Sequence, residues 1–216
     1  MRALALERQL RDLSGGAPIP LRPLFATVMS AGAIDGAVVG SFACDSWARA
    51  RLILFAGIKV PLLLLATAAL CMPGFFALNA VAGVGHAFRR AARAIVAGQA
   101  AVALSLASLS PFVLFCYLSG VGHAQALLVN AFAFACASAC GQIVMHRYYR
   151  ALIAEDPRHR RLFGTWIVLY ALVGTQMGWL LRPFVGAPDA PVTFFRNEPF
   201  SNAYVVVAEL VVAAFR

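Results

Sequence analysis

The sequence has few charged residues for its length, and it contains a single lysine. Of its 216 residues, 12% are charged and 62% are hydrophobic, and the mean hydropathy is +0.79. An ordinary soluble domain has about 25% charged and roughly 45–50% apolar residues. The chain therefore has too little polar surface to cover its apolar core in water. This composition excludes an ordinary soluble domain and indicates a protein that crosses a membrane several times.

The sequence also lacks the short motifs that mark catalytic and metal-binding sites. It has no P-loop, no GxSxG, no HExxH and no Cys-x-x-Cys pair. Its five cysteines lie in or beside apolar segments, where small buried side chains explain them better than metal ligands do. We therefore assign no catalytic residue, metal site or cofactor, and we favour a non-enzymatic protein over an enzyme.

The basic residues are mostly arginines that lie between the apolar segments. Arg and Lys outnumber Asp and Glu by 18 to 9, which gives a net charge of +9. A nucleic-acid-binding surface needs a basic stripe interleaved with aromatic residues, which is absent, so we predict no nucleic-acid partner. With six crossings, thirteen arginines fall on one side of the membrane and four on the other. Since cytoplasmic loops are enriched in basic residues, both termini are predicted to be cytoplasmic.

The apolar segments predict an all-α, polytopic transmembrane helix bundle of about six spans. A spanning helix needs about 20 mainly apolar residues. The predicted spans are 24–43, 52–71, 94–118, 125–145, 162–181 and a short sixth at 200–216. Residues 71–88 are rich in glycine and contain Pro73, and we interpret them as an interfacial or re-entrant connection.

The chain is predicted to have two parts. Leucines at positions 6, 10 and 13 fall on one helix face, with charged residues between them. This pattern is typical of a short helix that lies on a membrane surface. We therefore interpret residues 1–23 as an amphipathic N-terminal cytoplasmic segment and residues 24–216 as a single transmembrane helical domain.

Three ionisable residues lie inside the predicted spans: Asp35, Lys59 and Glu209. Charged side chains at membrane depth are costly and usually face protein or water, so each is a functional candidate. We interpret Asp35 and Lys59, at similar depth on consecutive antiparallel helices, as a neutralising structural pair. The alternative is a proton or ion relay that also uses Glu209. Single amides in the spans predict hydrogen bonds between helices, and these are Gln99, Asn130, Gln142 and Gln176.

The stretch GWLLRPFVGAPDAPVTFFRNEP, residues 178–199, forms a loop rich in proline and phenylalanine on the less basic, outer side. Pro183 ends the fifth helix and leaves its last carbonyls unpaired, so the Arg182 guanidinium can bind them. We predict that the loop folds back as a cap. The predicted structural clamp, or alternatively a ligand or partner site, comprises Trp179, Arg182, Pro183, Asp189 and Arg196.

Two stretches carry a resemblance to known proteins: GIKVPLLLLATAALCMPGFFALNA (57–80) and LYALVGTQMGWLLRPFVGAPDAPVTFFR (169–196). Together they resemble a group of bacterial multi-pass inner-membrane proteins. That group shares a lysine-proline second helix and a signature of Trp, Leu-Arg-Pro-Phe and Phe-Phe-Arg. The resemblance covers residues from about 50 to 200. It implies a multi-pass fold in the bacterial inner membrane, and no activity is attached to it.

Two functions remain as hypotheses from the sequence. The first is a non-enzymatic subunit or scaffold of an inner-membrane assembly, in contact with the lipid bilayer and with other subunits or a second copy of the chain. Its basis is the small size, the small-residue helix faces and the lack of catalytic motifs. The alternative is a small transporter or an ion or proton channel that uses Asp35, Lys59 and Glu209.

Overall fold

The computed structural model of the chain describes residues 20–42, 44, 47–182, 184–186 and 192–195. Most of these residues belong to five long helices, each apolar and long enough to cross a membrane. The helices are α1 (Leu21–Gly40), α2 (Trp47–Val81), α3 (Phe88–Leu118), α4 (His123–Glu155) and α5 (Arg158–Leu180), and a 3-10 helix, Gly85–Ala87, precedes α3. The predicted class, an all-α multi-pass membrane protein, is confirmed for these residues.

Two predicted segments fall outside the described part of the chain. The sixth span, 200–216, is one of them. The amphipathic N-terminal segment, 1–23, is the other, apart from residues 20–23, which lead into and begin α1. The described bundle therefore contains five candidate spans.

The connection predicted at 71–88 is the main correction to the sequence analysis. Instead of leaving the helix near Pro73, the chain continues α2 without a break to Val81. A proline inside a helix removes one backbone hydrogen bond and crowds the preceding turn. Membrane helices tolerate this cost when neighbouring helices pack around them. Cys71 and Phe75, on either side of Pro73, are fully buried in the bundle, so packing keeps this part of α2 helical.

Short turns join the later helices and make them antiparallel neighbours. Gly83 and Gly120 have φ angles of 76° and 79°, a left-handed conformation that favours glycine, and they follow the ends of α2 and α3. Only Asp156 and Pro157 separate α4 from α5. We call the end of the bundle with this two-residue turn the hairpin face. The opposite end, at which the described residues 184–186 follow α5, is the loop face.

The α1 helix packs closely against both α2 and α3, while α3 packs against α4 and α5 contacts mainly α2. The contact between α1 and α2 is made through glycine. A Cβ atom added to Gly36 would overlap the carbonyl oxygen of Ala56 and lie 2.8 Å from the Cα of Gly57. Small residues allow membrane helices to approach to backbone contact, as the stretch AGAIDGAVVG predicts. This glycine seam sets the position of α1 and so of Asp35, which lies beside Gly36.

The buried apolar residues form three clusters along the bundle. The largest lies towards the hairpin face and includes Phe75, Tyr149 and Trp166 from α2, α4 and α5. A second lies among α1, α2, α3 and α4. The third lies at the loop face, where Val185 packs with Phe42 and neighbouring residues. The chain that follows α5 thus contributes a buried side chain to the bundle.

Candidate functional site

Asp35 is buried between α1 and α3, with 4% of its surface exposed. Its carboxyl oxygen Oδ1 is 2.9 Å from the hydroxyl oxygen of Ser110, which is also 3.0 Å from the carbonyl oxygen of Leu106. The Ser110 hydroxyl group is the donor to Asp35, and its single proton is shared with the Leu106 carbonyl oxygen one turn earlier on α3. The described hydrogen-bond partner of the Asp35 carboxyl group is therefore one serine hydroxyl of the neighbouring helix.

Lys59 is fully buried on α2 and points towards the chain that follows α5. Its Nζ atom lies 4.8 Å from the ring centroid of Phe194 and 6.0 Å from that of Phe184. The Phe194 ring also meets Phe55, one turn before Lys59, with the centroids 5.2 Å apart. An ammonium group over an aromatic face is stabilised by the ring quadrupole. The loop thus provides an aromatic environment for the single lysine of the chain.

The structural pair expected between Asp35 and Lys59 is not formed among the described residues. Asp35 lies against Ser110 of α3, whereas Lys59 lies under the two phenylalanine rings. The physical reason is the glycine seam: Gly36 faces α2, and Asp35, one residue earlier, is turned about 100° away around the helix. Glu209 lies outside the described residues. Of the three intramembrane candidates, the two that are described therefore occupy separate environments.

Two members of the predicted outer clamp come together at the end of α5. The guanidinium carbon of Arg182 lies 3.3 Å from the ring centroid of Trp179, a stacked cation–π contact. Pro183, Asp189 and Arg196 lie outside the described residues. The clamp therefore stays a prediction, and its described part is the Trp179–Arg182 stack.

Among the described residues, interhelical hydrogen bonds are formed by the side chains of Gln99 and Asn130. The Tyr170 hydroxyl of α5 donates to Oε1 of Gln99 on α3 at 2.7 Å, and the Asn130 amide of α4 donates to the Tyr117 hydroxyl of α3. For these two amides the prediction is confirmed. The tyrosine partners were not predicted, because the sequence gives no signal that links Tyr170 to a residue 71 positions earlier.

Two arginine side chains form hydrogen bonds between helix ends at the hairpin face. Arg90 at the start of α3 donates two hydrogen bonds to the Glu155 carboxylate at the end of α4, at 2.6 and 2.7 Å. Arg158 donates to the carbonyl oxygen of Ala82 at 2.9 Å and so ties the start of α5 to the end of α2. Both side chains are exposed, so these contacts hold the helix ends rather than the core.

The described residues contain no group of three or more His, Cys, Asp and Glu side chains that could hold a metal ion. All five cysteines are free thiols. No family model, curated protein or solved structure matches this chain. The resemblance to bacterial multi-pass inner-membrane proteins therefore stays a prediction, and the function has to be argued from the packing and chemistry of the helices.

Proposed function

We propose that the protein is a non-enzymatic integral membrane subunit whose α5 helix docks a transmembrane helix of another subunit. The observation that supports this proposal is the uneven burial of the helices. Half of the most apolar window of α2 is buried inside the bundle, compared with 11% of the corresponding window of α5. The α5 helix is therefore the least covered by the rest of the described chain.

The outward face of α5 differs in chemistry from those of α2 and α3. Large side chains such as Leu54 and Phe76 of α2, and Phe115 of α3, point outward and suit contact with lipid. The corresponding stripe on α5 has smaller side chains: Gly164, Val168, Ala171, Thr175 and Gly178 lie on one face, because seven residues make about two turns. No described residue lies within 4 Å of a Cβ atom added to Gly164 or Gly178. Small-residue faces favour helix–helix contact.

The arginine distribution supports an orientation for this subunit. Basic residues near the hairpin face outnumber those near the loop face, among the described residues, by nine to three. The nine are Arg22, Arg89, Arg90, Arg93, Arg147, Arg150, Arg158, Arg160 and Arg161, and the three are Arg49, Arg51 and Arg182. Positive residues accumulate on the cytoplasmic side. We therefore propose that the hairpin face lies on the cytoplasmic side of a bacterial inner membrane, and a sixth span at 200–216 would bring both termini to that side.

The test replaces a small residue of the α5 stripe by a large one and measures assembly. We expect the wild-type protein, purified in a mild detergent, to have the mass of an oligomer or of a complex with a second chain. Ala171→Leu should reduce it to the mass of a monomer, because a leucine separates the helices. Ala69→Leu, on the exposed face of α2, is the matched control and should leave the assembly intact.

Two outcomes would overturn the proposal. A wild-type protein that is a single monomer in detergent and in lipid nanodiscs has no partner helix to dock. An Ala171→Leu variant that keeps its assembly but loses thermal stability would show that the stripe is covered by the chain itself, for instance by residues 200–216. If the wild-type protein does assemble, its mass shows whether the partner is a second copy of this chain or a different subunit.

A second function, transport of protons or ions, is favoured by one specific observation. The Asp35 carboxyl group is buried at membrane depth, and its described hydrogen-bond partner is the single hydroxyl group of Ser110 on the neighbouring helix. The test is proton flux into proteoliposomes: Asp35→Asn should abolish flux while the protein keeps its abundance and its elution profile. Absence of flux with the wild-type protein, or equal loss of abundance and flux in the variant, would remove this candidate.

A further inference from the structure

Four buried polar side chains near the hairpin face each have an atom that makes no hydrogen bond within the described part of the chain. The atoms are Oδ1 of Asn79, the hydroxyl of Tyr149, Nε2 of His159 and Nε1 of Trp166. Each of these residues has at most 2% of its surface exposed. Buried polar atoms in native proteins are nearly always bonded, either to protein or to ordered water. Four such atoms in one part of a small bundle therefore need a common explanation.

These residues belong to one region where α2, α4 and α5 meet. The Trp166 ring packs edge-on against Phe75 with the centroids 5.1 Å apart, and the Asn79 amide donates to the Phe75 carbonyl at 2.7 Å. The Tyr149 ring lies 5.2 Å from that of Phe163, which is one turn after His159 on α5. Phe75, Tyr149 and Trp166 belong to one buried cluster, and Phe163 packs against it, so both groups lie in the same region of the bundle.

All four residues also lie within about two turns of the helix ends at the hairpin face. Asn79 is two residues before the end of α2, and Tyr149 is six before the end of α4. His159 and Trp166 are one and eight residues after the start of α5. At ~1.5 Å per residue, the four positions fall within about 12 Å of the helix ends at the hairpin face. The polar atoms are therefore concentrated at one end of the bundle.

The hydrogen-bonding capacities of the four atoms are complementary. The Nδ1 atom of His159 lies 3.2 Å from the carbonyl oxygen of Asp156, which can only accept, so in the neutral ring Nδ1 has the proton and Nε2 accepts. Asn79 Oδ1 is a second acceptor, Trp166 Nε1 is a donor, and the Tyr149 hydroxyl is both. A molecule that binds here has to donate and accept hydrogen bonds.

We propose that these four side chains form a site that binds internal water molecules between α2, α4 and α5. Water both donates and accepts, and a buried water typically makes about three hydrogen bonds to buried polar groups. Water molecules can therefore satisfy all four atoms. None of the four side chains is acidic, which disfavours a cation, and the surrounding aromatic packing favours a molecule as small as water. This inference does not depend on the proposed docking function.

The first experiment measures the sign of a stability change. Tyr149→Phe removes only a hydroxyl group. If that hydroxyl has no partner, its removal relieves the cost of burying it, and the apparent melting temperature rises or stays the same. If water bonds it, a hydrogen bond is lost and the melting temperature in detergent falls, by about 2–4 °C. We expect the fall. Tyr148→Phe, at the neighbouring half-buried position, is the control and should change the melting temperature little.

The second experiment tests whether Tyr149 and Asn79 belong to one network of bound water. We expect the shifts of Tyr149→Phe and Asn79→Leu to be non-additive in the double variant, because the second change acts on a network that is already broken. A density map of the full-length protein at a resolution that shows ordered water should contain a peak among the four atoms. A raised melting temperature, additive shifts, or direct contacts between the side chains without such a peak would overturn the proposal.

Discussion

Glycines lie on the surfaces of both α1 and α5, but those of α1 contact a neighbouring helix and two of those on α5 contact no described residue. On α1, Gly36 and Gly40 lie against the backbone of α2, where an added Cβ would overlap a carbonyl oxygen. On α5, Gly164 and Gly178 have no described residue within 4 Å of such a Cβ. The comparison teaches that a glycine in a membrane helix identifies a packing surface only when its neighbour is known. In α1 that neighbour is part of the same chain, and for α5 we propose another subunit.

The largest expected effect comes from adding one methyl group to the α1 seam. Gly36→Ala places a Cβ on the Ala56 carbonyl oxygen, and backbone cannot move aside as a side chain can. Overpacking of this kind costs about 1–3 kcal/mol or more, which exceeds the ~1 kcal/mol that alanine gains in helix propensity. We expect a clear fall in the apparent melting temperature in detergent.

The matched control for this comparison is Gly164→Ala on α5. Its new methyl group meets no described residue, so only the gain in helix propensity remains, and stability should stay the same or rise by up to ~1 kcal/mol. A Gly164→Ala variant as unstable as Gly36→Ala would break the contrast between the two faces.

An intermediate effect is expected at Gly141, where α4 meets α3. An added Cβ would overlap the end of the Val102 side chain and lie 2.9 Å from the Gly98 carbonyl oxygen. The valine can move, whereas the carbonyl oxygen cannot move far. Gly141→Ala should therefore lower the melting temperature by less than Gly36→Ala and more than Gly164→Ala. Any other order among the three variants would show that the backbone contact is not the decisive factor.

A smaller effect should follow from the hydrogen bond that ties α5 to α3. Tyr170→Phe removes the donor to Gln99, which is 2% exposed, and leaves that amide oxygen buried without its partner. The expected cost is about 1–2 kcal/mol. Because α5 has few buried contacts, we expect the loss to appear first as faster amide hydrogen exchange in α5, with α1 unchanged. Equal acceleration in both helices would mean that the bundle loosens as one unit.

The smallest effect is expected at the exposed ion pair on the hairpin face. Arg90→Ala removes both hydrogen bonds to Glu155, but exposed pairs contribute little and salt screens them. The apparent melting temperature should fall by no more than about 2 °C at low salt, and the difference should shrink at high salt. A large fall in melting temperature that does not depend on salt would show that the Arg90–Glu155 pair contributes to the core packing.

The sequence predicted the helices well and their partners poorly. Apolar runs located all five described spans, because a crossing helix needs about 20 mainly apolar residues. The end of α2 was missed because packing around Pro73 offsets the backbone hydrogen bond that the proline removes, so the helix continues past it. The environment of Asp35 was also missed: its neighbour Ser110 is 75 residues away, and helix depth alone had suggested Lys59.

The polar cluster at the hairpin face could have been found only in part. Cys71, Phe75 and Asn79 recur every four residues along α2, a spacing that places them on one side of the helix. That pattern gives no indication that Tyr149, His159 and Trp166 lie opposite. Their meeting depends on the tight turn at Asp156 and Pro157, which sets the register of α5 against α4.

The turn between α3 and α4, with Gly120 in its left-handed conformation, has a consequence for how the chain is made. Residues 119–122 read SGVG and contain no charged side chain, whereas five arginines flank the turn between α4 and α5. Moving an uncharged tip through the hydrocarbon core is far less costly than moving arginines through it. With the proposed orientation, α3 and α4 are therefore expected to enter the bilayer together, tip first, while the arginine-flanked turn stays on the cytoplasmic side.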